Sequence, residues 1–432
     1  MFAYYVNLAL GSFKRNKIIT MLMVLAIALG IGSTMTTLTV FQVLSADPIP
    51  QKSERLFHVQ LDASPPRGYQ DGEEPPNLLT RYDAESLLQQ SIGMRQALMT
   101  GGSGAIQPES QTTRPFHARL RYTSSDFFPM FETPFLYGNG WADHDDDRRT
   151  RVAVIAKHLN DTLFQGADST GNTLLVDGHA LRIVGVLDDW APNPKFYDPT
   201  TGHYGSEELV FLPFSVFLDL GLKHDGQMFC FTPETEPMSL NSKCSWIQYW
   251  VELEQSGSAR RYFDYLTSYS EEQRINGRFE RPPNARLRNV TEWLDYINVV
   301  PNDVRLQMWI AMGFLLVCLV NTVGLLLAKF MRNAHEIGLR RALGASRRTI
   351  FHQHLVESGA IGIAGGVLGL CLALAGLWAV RQQPTSYAHL AHLDLRMLTF
   401  TFALALIASL LAGLIPAWRA SQVAPAIQLK SQ

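Results

Sequence analysis

Charged side chains are scarce in this chain of 432 residues. They make up 18% of the sequence, whereas about a quarter is typical of soluble domains, so a wholly soluble fold is disfavoured. The 37 basic and 39 acidic side chains leave a formal net charge of -2. The chain therefore lacks the basic excess of nucleic-acid binders, and we expect no nucleic-acid partner.

Cysteine and the common catalytic motifs are also rare or missing. The four cysteines form no CxxC pair, which argues against a zinc ribbon or a disulfide-stapled miniprotein. The sequence contains no G-x-x-x-x-G-K-[ST], HExxH or G-x-S-x-G motif, so nucleotide-binding and hydrolase chemistry is not indicated.

The acidic run 143–147 lacks EF-hand spacing and is interpreted as a solvated turn. Residues 101–104 (GGSG) predict a flexible loop. We expect no catalytic residue, metal site or bound cofactor on this chain.

Long apolar runs dominate what is present. Residues 18–44 contain no charged side chain, and about 20 such residues already cross a hydrocarbon core of roughly 30 Å. A cleaved signal peptide would have a much shorter apolar region, so an uncleaved anchor is predicted. Three further uncharged runs lie at 306–328, 358–380 and 397–418. Together they predict four transmembrane helices.

Lysine and arginine placement predicts the orientation. Basic residues precede the first span and crowd the segment between the second and third, whereas the loop 381–396 holds only two. The positive-inside rule then places both termini in the cytoplasm of a bacterial inner membrane. The predicted order is a cytoplasmic N-terminus (1–17), helix 1 (18–45), a periplasmic domain (46–305), helix 2 (306–329), a cytoplasmic coupling segment (330–354), helix 3 (355–380), a short periplasmic loop (381–396), helix 4 (397–418) and a cytoplasmic tail (419–432).

The large segment between the first two spans has the pattern of a folded domain. Strands are predicted at 57–61, 116–122 and 152–155, and Asp177-Gly178 between two apolar runs predicts a hairpin. Helices are expected at 83–92, 156–164 and 258–272. The fold class is thus an α-helical membrane protein with four transmembrane helices and a large α+β periplasmic ectodomain, predicted to have two lobes.

Two cysteines, Cys230 and Cys244, lie in this outer segment. On the oxidising side of the membrane they can pair, which would stabilise the domain by about 3 kcal/mol in the chain-entropy model. The alternative is two buried free thiols.

The cytoplasmic segment 333–351 carries the most informative pattern. On one continuous helix, Leu339, Leu343 and Ile350 would share an apolar face, with arginines on the others. Gly344 predicts a bend between two short helices. Such a segment suits either an interfacial helix with topology charges or an element that docks a cytoplasmic partner.

Three stretches resemble one family. Residues 336–345 (EIGLRRALGA) are very similar to the cytoplasmic motif of MacB/FtsX-like ABC transporter permeases. Residues 413–420 (GLIPAWRA) resemble the end of that family's last span, and residues 152–186 resemble its periplasmic core domain. The resemblance covers nearly the whole chain in order. The tail 423–430 departs from it, because the family's acidic residues are missing there.

The resemblance implies a permease subunit of a mechanotransmission-type ABC transporter, an efflux-type machine. A separate cytoplasmic ABC ATPase would bind ATP and Mg, and a periplasmic adaptor is a further candidate partner. The residues implied in ATPase coupling are Glu336, Leu339, Arg340, Arg341, Leu343, Gly344 and Arg347. A second permease chain, identical or different, is implied too, and the small residues Gly30, Gly32 and Ser33 would pack against it within the membrane lipid.

Alternative functions remain open at this stage. A lipoprotein-releasing permease shares the topology, whereas a cell-division-type relative would have a smaller ectodomain. A membrane sensor with a ligand-binding ectodomain is the alternative from another class. The sequence does not identify the substrate.

Overall fold

The structure, a computed structural model, describes residues 13, 17–107, 114–205, 207–231, 233–254, 257–383 and 395–422. The chain divides into two compact units, one of Met1–Ser45 with Val300–Gln432 and the other of Ala46–Val299. Most of the predicted N-terminal segment, most of the loop 381–396 and the tail from residue 423 lie outside the described residues.

The elements are numbered in chain order. The helices are α1 (Lys17–Leu44), α2 (Arg81–Gln90), α3 (Phe127–Met130), α4 (Asp143–Asp147), α5 (Lys157–Phe164), α6 (Phe214–Leu220), α7 (Ser258–Ile275), α8 (Val290–Tyr296), α9 (Asn302–Arg332), α10 (Ala334–Ala342), α11 (Arg347–Arg381) and α12 (Leu395–Ser421). The strands are β1 (Leu56–Gln60), β2 (Leu79–Thr80), β3 (Arg95–Gln107), β4 (Phe116–Thr123), β5 (Phe135–Gly138), β6 (Val152–Ile155), β7 (Thr173–Val176), β8 (His179–Leu187), β9 (Val210–Pro213), β10 (Ser245–Glu252) and β11 (Arg286–Asn289).

Four helices of the first unit can cross a membrane. α1, α9, α11 and α12 have mean hydropathies of 2.2 to 2.4 over their most apolar stretches, and each exceeds the roughly 20 residues that a bilayer core requires. α1 packs against both α9 and α11, and α12 packs against the same two helices. The inner face of α1 repeats every four residues, as helical periodicity demands, with Met23, Ile27, Ile31 and Met35 all buried. The four predicted spans are confirmed.

The second unit is built on one sheet in the order β11-β1-β10-β3-β4-β9-β6-β8-β5, with β2 on β10 and β7 on β3 and β8. β3, with 13 residues, pairs along its length with β10, β4 and β7. Because this strand pairs with neighbours on both sides, the strands of the ectodomain form one continuous sheet. The division of the ectodomain into two lobes stays a prediction.

The local predictions for the ectodomain agree with the structure where the signal is short-range. β7 and β8 form the expected hairpin, and its turn residues Asp177 and Gly178 both have positive φ, at 48° and 82°. This is the geometry that Asp-Gly pairs adopt in two-residue hairpin turns. Cys230 and Cys244 are joined by a disulfide, so the predicted pairing is present and the segment before β10 is tied to that strand.

The glycine-rich stretch 101–104 is not a flexible loop. It lies inside β3, where Gly101 pairs with Arg121 and Gly102 with Leu120 of β4. A Cβ on Gly102 would lie 2.3 Å from the ring of Tyr122, and one on Gly101 would lie 2.4 Å from the carbonyl oxygen of Asp225. Glycine is therefore needed here because other groups approach the strand closely.

We expect Gly102→Ala to destabilise the ectodomain by about 1 to 3 kcal/mol, because the new methyl group must displace a buried tyrosine ring in a packed core. Gly257→Ala is the matched control, since its Cβ would meet no described atom within 4 Å. The free energy of unfolding, from denaturant titrations of the purified chain, measures both. Equal stability of the two variants would contradict this account of the β3 glycines.

A neutral histidine side chain forms part of the ectodomain core. His58 of β1 stacks on Trp293 with ring centroids 3.7 Å apart, and neither ring nitrogen has a hydrogen-bond partner among the described residues. Burial, with a smaller contribution from Arg288, lowers the pKa of His58 from 6.5 to about 3. Between pH 6.5 and about 3, His58 therefore stays neutral in the folded ectodomain, whereas it binds a proton in the unfolded chain.

This histidine predicts a loss of stability in mild acid. Because its pKa is lower in the folded state, the stabilisation is complete above pH 6.5 and is lost progressively as the pH falls toward 3. Between pH 7.5 and 5.0 the loss is about 2 kcal/mol. Denaturant unfolding at the two pH values measures it, and His58→Phe, which keeps the stacking, should flatten the difference. A pH dependence unchanged in that variant would exclude His58 as its cause.

Candidate functional site

The segment 333–351, predicted from the sequence to be cytoplasmic, folds as a short helix, a turn and the start of a long helix. α10 ends at Ala342, and Gly344 has a φ of +99°, a left-handed conformation that glycine adopts without strain. Ser346 then caps α11, because its Oγ accepts a hydrogen bond from the amide of Thr349 at 3.2 Å. The bend therefore lies at the glycine that the sequence singled out.

One side of α10 is fixed to the helix bundle. Ile337 and Gly338 are buried, and Ile337 belongs to the same apolar cluster as Phe330 of α9 and Ile350 of α11. Arg340 adds two polar contacts, because its guanidinium donates to Glu336 Oε1 at 2.7 Å and to Gln353 Oε1 at 3.1 Å. The segment is therefore attached to the bundle at this point.

The other side of the segment is open. Leu339 and Leu343 are 49% and 80% exposed, and the arginines at 347 and 348 are exposed as well. Ile350, predicted on the same face as the two leucines, is buried instead, because the bend at Gly344 turns the start of α11 into the bundle. What remains outside is an apolar leucine pair beside a basic rim, which suits a protein partner with acidic groups around a small apolar pocket.

The small residues of α1 are used within the chain. A Cβ on Gly30 would lie 3.0 Å from Cys318 of α9, and one on Gly32 would lie 2.8 Å from Leu372 of α11. Both glycines are buried against neighbouring spans, whereas Ser33 is exposed. The close helix packing expected at these glycines is thus present, but its partners are spans of the same chain. The assignment of Gly30 and Gly32 to a contact with a second chain is corrected.

A buried charge network, which the sequence analysis missed, lies in the ectodomain. Arg121 of β4 forms ion pairs with Asp198 and Glu208, and Lys195 also pairs with Glu208. The Tyr197 hydroxyl donates to Glu208 Oε2 at 2.8 Å. Burial alone would raise the pKa of both carboxyl groups, but the neighbouring cations hold it below its ordinary value. The network fixes the loop between β8 and β9 on the sheet. No local pattern marks it, since the partners are far apart in sequence.

The acidic run 143–147 is helical rather than a plain solvated turn. Asp146 accepts hydrogen bonds from the amide of Ser125 at 2.8 Å and from Trp141 Nε1 at 3.1 Å. Burial raises the pKa of this carboxyl group to about 6. Among the described residues there is no group of three or more His, Cys, Asp or Glu side chains suited to hold a metal ion.

Comparison with known proteins agrees with this architecture. Residues 20–253 match the MacB-like periplasmic core domain, and residues 308–425 match the FtsX-like permease C-terminal domain. The chain is therefore a multi-pass membrane protein with a periplasmic-type α+β domain between its first and second spans. It belongs to the family of MacB/FtsX-like ABC transporter permeases.

Several relatives of the chain are export proteins. The chain is 22% identical over 429 residues to the macrolide export ATP-binding/permease protein MacB of Azoarcus sp., covering 98% of this chain and 59% of that protein. It is 24% identical over 320 residues to the pyoverdine export ATP-binding/permease protein PvdT of Pseudomonas aeruginosa, covering 73% of this chain and 43% of that protein. The matched region thus spans about two fifths to three fifths of the length of these relatives.

Among solved structures, the chain is similar to the periplasmic region of MacB from Actinobacillus actinomycetemcomitans, at 15% identity and a TM-score of 0.37. That similarity covers 58% of this chain and 95% of the other.

Proposed function

We propose that this chain is the permease subunit of a mechanotransmission-type ABC transporter in a bacterial inner membrane. A cytoplasmic ABC ATPase binds the segment 333–351, and its ATP-driven motion passes through the spans to the ectodomain. There the motion drives export or extraction of a substrate. The chain itself hydrolyses no ATP; the nucleotide and Mg are bound by the ATPase.

The observation that carries the proposal is the form of the coupling segment. One side of α10 is anchored through Ile337 and Arg340, while Leu339 and Leu343 remain exposed. A segment that is fixed to the bundle and apolar on its open side can receive a partner and pass on its movement. A segment that served only as a topology signal would need the arginines but not the exposed leucine pair.

Chain connectivity supports the transmission. α1 ends at Leu44, with one residue between it and the ectodomain unit that begins at Ala46, and α9 starts at Asn302, shortly after that unit ends. Any displacement of α1 or α9 is therefore applied to the two ends of the ectodomain by short connections. Lysine and arginine placement supports cytoplasmic termini, which puts the segment 333–351 on the side where ATP is available.

The substrate is proposed only as a class handled outside the membrane. The two named relatives export a macrolide and pyoverdine, so a bulky secreted compound is the working assumption. A second permease chain and a periplasmic adaptor are part of the same proposal.

Affinity purification of the tagged chain from native membranes tests the proposal. We expect an ABC ATPase to co-purify, and we expect the reconstituted complex to hydrolyse ATP faster than the ATPase alone. Recovery of a histidine kinase in place of an ATPase would overturn the transport function and favour the sensor.

A further inference from the structure

An ion pair is buried where α9, α11 and α1 meet. Lys329 of α9 reaches Glu357 of α11 with 2.7 Å between Nζ and Oε1, and the exposed fractions of the two side chains are 0% and 6%. Nζ also donates to Thr20 Oγ1 of α1 at 3.2 Å. His354 Nδ1 lies 3.2 Å from the other carboxylate oxygen of Glu357. One buried ion pair therefore connects three of the four spans.

This cluster links the two helices that flank the coupling segment. α9 and α11 both pack along α1, and side chains bridge them near their cytoplasmic ends: Lys329 pairs with Glu357, and the ring of Phe330 lies 4.0 Å from that of His354. A second bridge stands closer to the segment itself, where Arg340 of α10 donates to Gln353 of α11. α11 is thus connected to α9 through Lys329 and to α10 through Arg340.

Stability alone does not account for a buried ion pair at this place. Removing two charges from water costs free energy that their attraction barely returns, and well-packed apolar residues of similar size are often as good or better. Ionisable groups inside a membrane bundle are, for that reason, functional candidates by default. The pair supplies what apolar contacts lack, which is a directional link that fixes the register of two helices.

We propose that Lys329 and Glu357 form a positioning clamp, which makes α9 and α11 move as one body when the ATPase displaces the coupling segment. The clamp rests on the proposed function and deepens it. Without it, a push on α10 would be absorbed by sliding of α9 against α11. With it, the push is shared between both helices and, through Thr20, with α1.

The decisive variant removes both charges together, so that no unpaired charge is left buried. For Lys329→Met with Glu357→Gln we expect normal insertion and normal ATPase binding, because the exposed surface of α10 is unchanged. ATP turnover per bound ATPase should fall roughly threefold or more, the scale on which changes along a coupling network act. A merely structural role would alter yield but not turnover per assembled complex.

The reversed pair, Lys329→Glu with Glu357→Lys, serves as the rescue. Each single substitution should lower turnover, and the reversed pair should restore it above both. A neutral pair with wild-type turnover, or a reversed pair no better than the single variants, would overturn the clamp. Failure of the wild-type chain itself to recruit an ATPase would instead overturn the proposed function, so the two failures are distinguishable.

A cross-link separates a clamp from a gate. Lys329→Cys with Glu357→Cys, in a chain whose Cys318 and Cys371 are replaced by Ser, can be bridged by a short bis-thiosulfonate reagent. The cysteine pair lacks both charges, so its ATP turnover should be low before bridging; because a clamp stays closed through the cycle, the bridge should raise the turnover toward the wild-type value. Arrest of turnover by the bridge would show that α9 and α11 must separate.

Discussion

A permease in which Arg340 and Arg341 are both replaced by Glu should reach the membrane folded and yet fail to recruit its ATPase. Both arginines lie on α10 next to the exposed Leu339 and Leu343. The substitutions invert the charge beside these leucines and, at Arg340, also remove the hydrogen bond that anchors α10 to Gln353. Complementary charge steers and orients protein association, and like charges placed opposite each other cost several kcal/mol. Co-purification of the ATPase should drop to background, and stimulated ATP turnover should be lost with it.

The control is a matched inversion elsewhere on the chain. Arg260→Glu with Arg261→Glu changes the same charge on α7 of the ectodomain, where both side chains are exposed. That variant should bind and stimulate the ATPase like the wild type. If the Arg340 and Arg341 variant also kept wild-type binding and turnover, the arginines would be topology signals only.

Replacing Arg121 with Met should destabilise the ectodomain by about 3 to 5 kcal/mol, because the substitution leaves buried carboxylates without their principal partner. Asp198 and Glu208 both pair with this arginine, and all three side chains are almost fully buried. Denaturant unfolding of the purified chain, followed through tryptophan fluorescence, measures the change.

Two controls separate the effect of lost charge pairing from the effect of lost packing. Arg260→Met breaks an exposed pair with Asp264, at 84% and 62% exposure, and should cost about 0.5 kcal/mol or less. The double variant Arg121→Met with Asp198→Asn removes the stranded charge and leaves Glu208 paired with Lys195, so it should recover part of the loss. No recovery in the double variant would mean that packing of the arginine, rather than its charge, stabilises this loop.

The parts of the fold that the sequence predicted are those that depend on local signals. Uninterrupted apolar length marked the four spans, Asp177-Gly178 marked the hairpin, and Gly344 marked the bend in the coupling segment. Each of these signals acts over a few residues or one helix, so no knowledge of distant partners was required.

The features that escaped prediction depend on distant partners. β10 is buried at every position, so it lacks the alternation that identifies a half-exposed strand. The glycines of β3 resembled a loop in the sequence. The reason for Gly102 is the close approach of the Tyr122 ring, which belongs to the neighbouring strand β4. Small residues in α1 signalled close packing correctly, but composition alone does not say whether the partner belongs to the same chain.

The site shows the same division. The motif 336–345 marked the segment that we propose for coupling, whereas the Lys329–Glu357 pair joins residues that lie at the ends of two apolar runs. The pair is recognised from the 2.7 Å distance between Lys329 Nζ and Glu357 Oε1 on two different helices. No residue pattern along a single helix contains that information.

The length of α11 has a mechanical consequence. At 1.5 Å per residue its 35 residues extend about 50 Å, roughly 20 Å more than the hydrocarbon core requires. In the proposed function, such a helix acts as a lever whose N-terminal arm projects beyond the bilayer on the cytoplasmic side, with Gly344 in the turn just before it. A tilt of about 10° would carry the end of that arm sideways by roughly 3 to 4 Å, taking the projecting length from the helix rise. The distance that the end of α11 moves would then depend largely on the position along α11 at which the bilayer holds the helix.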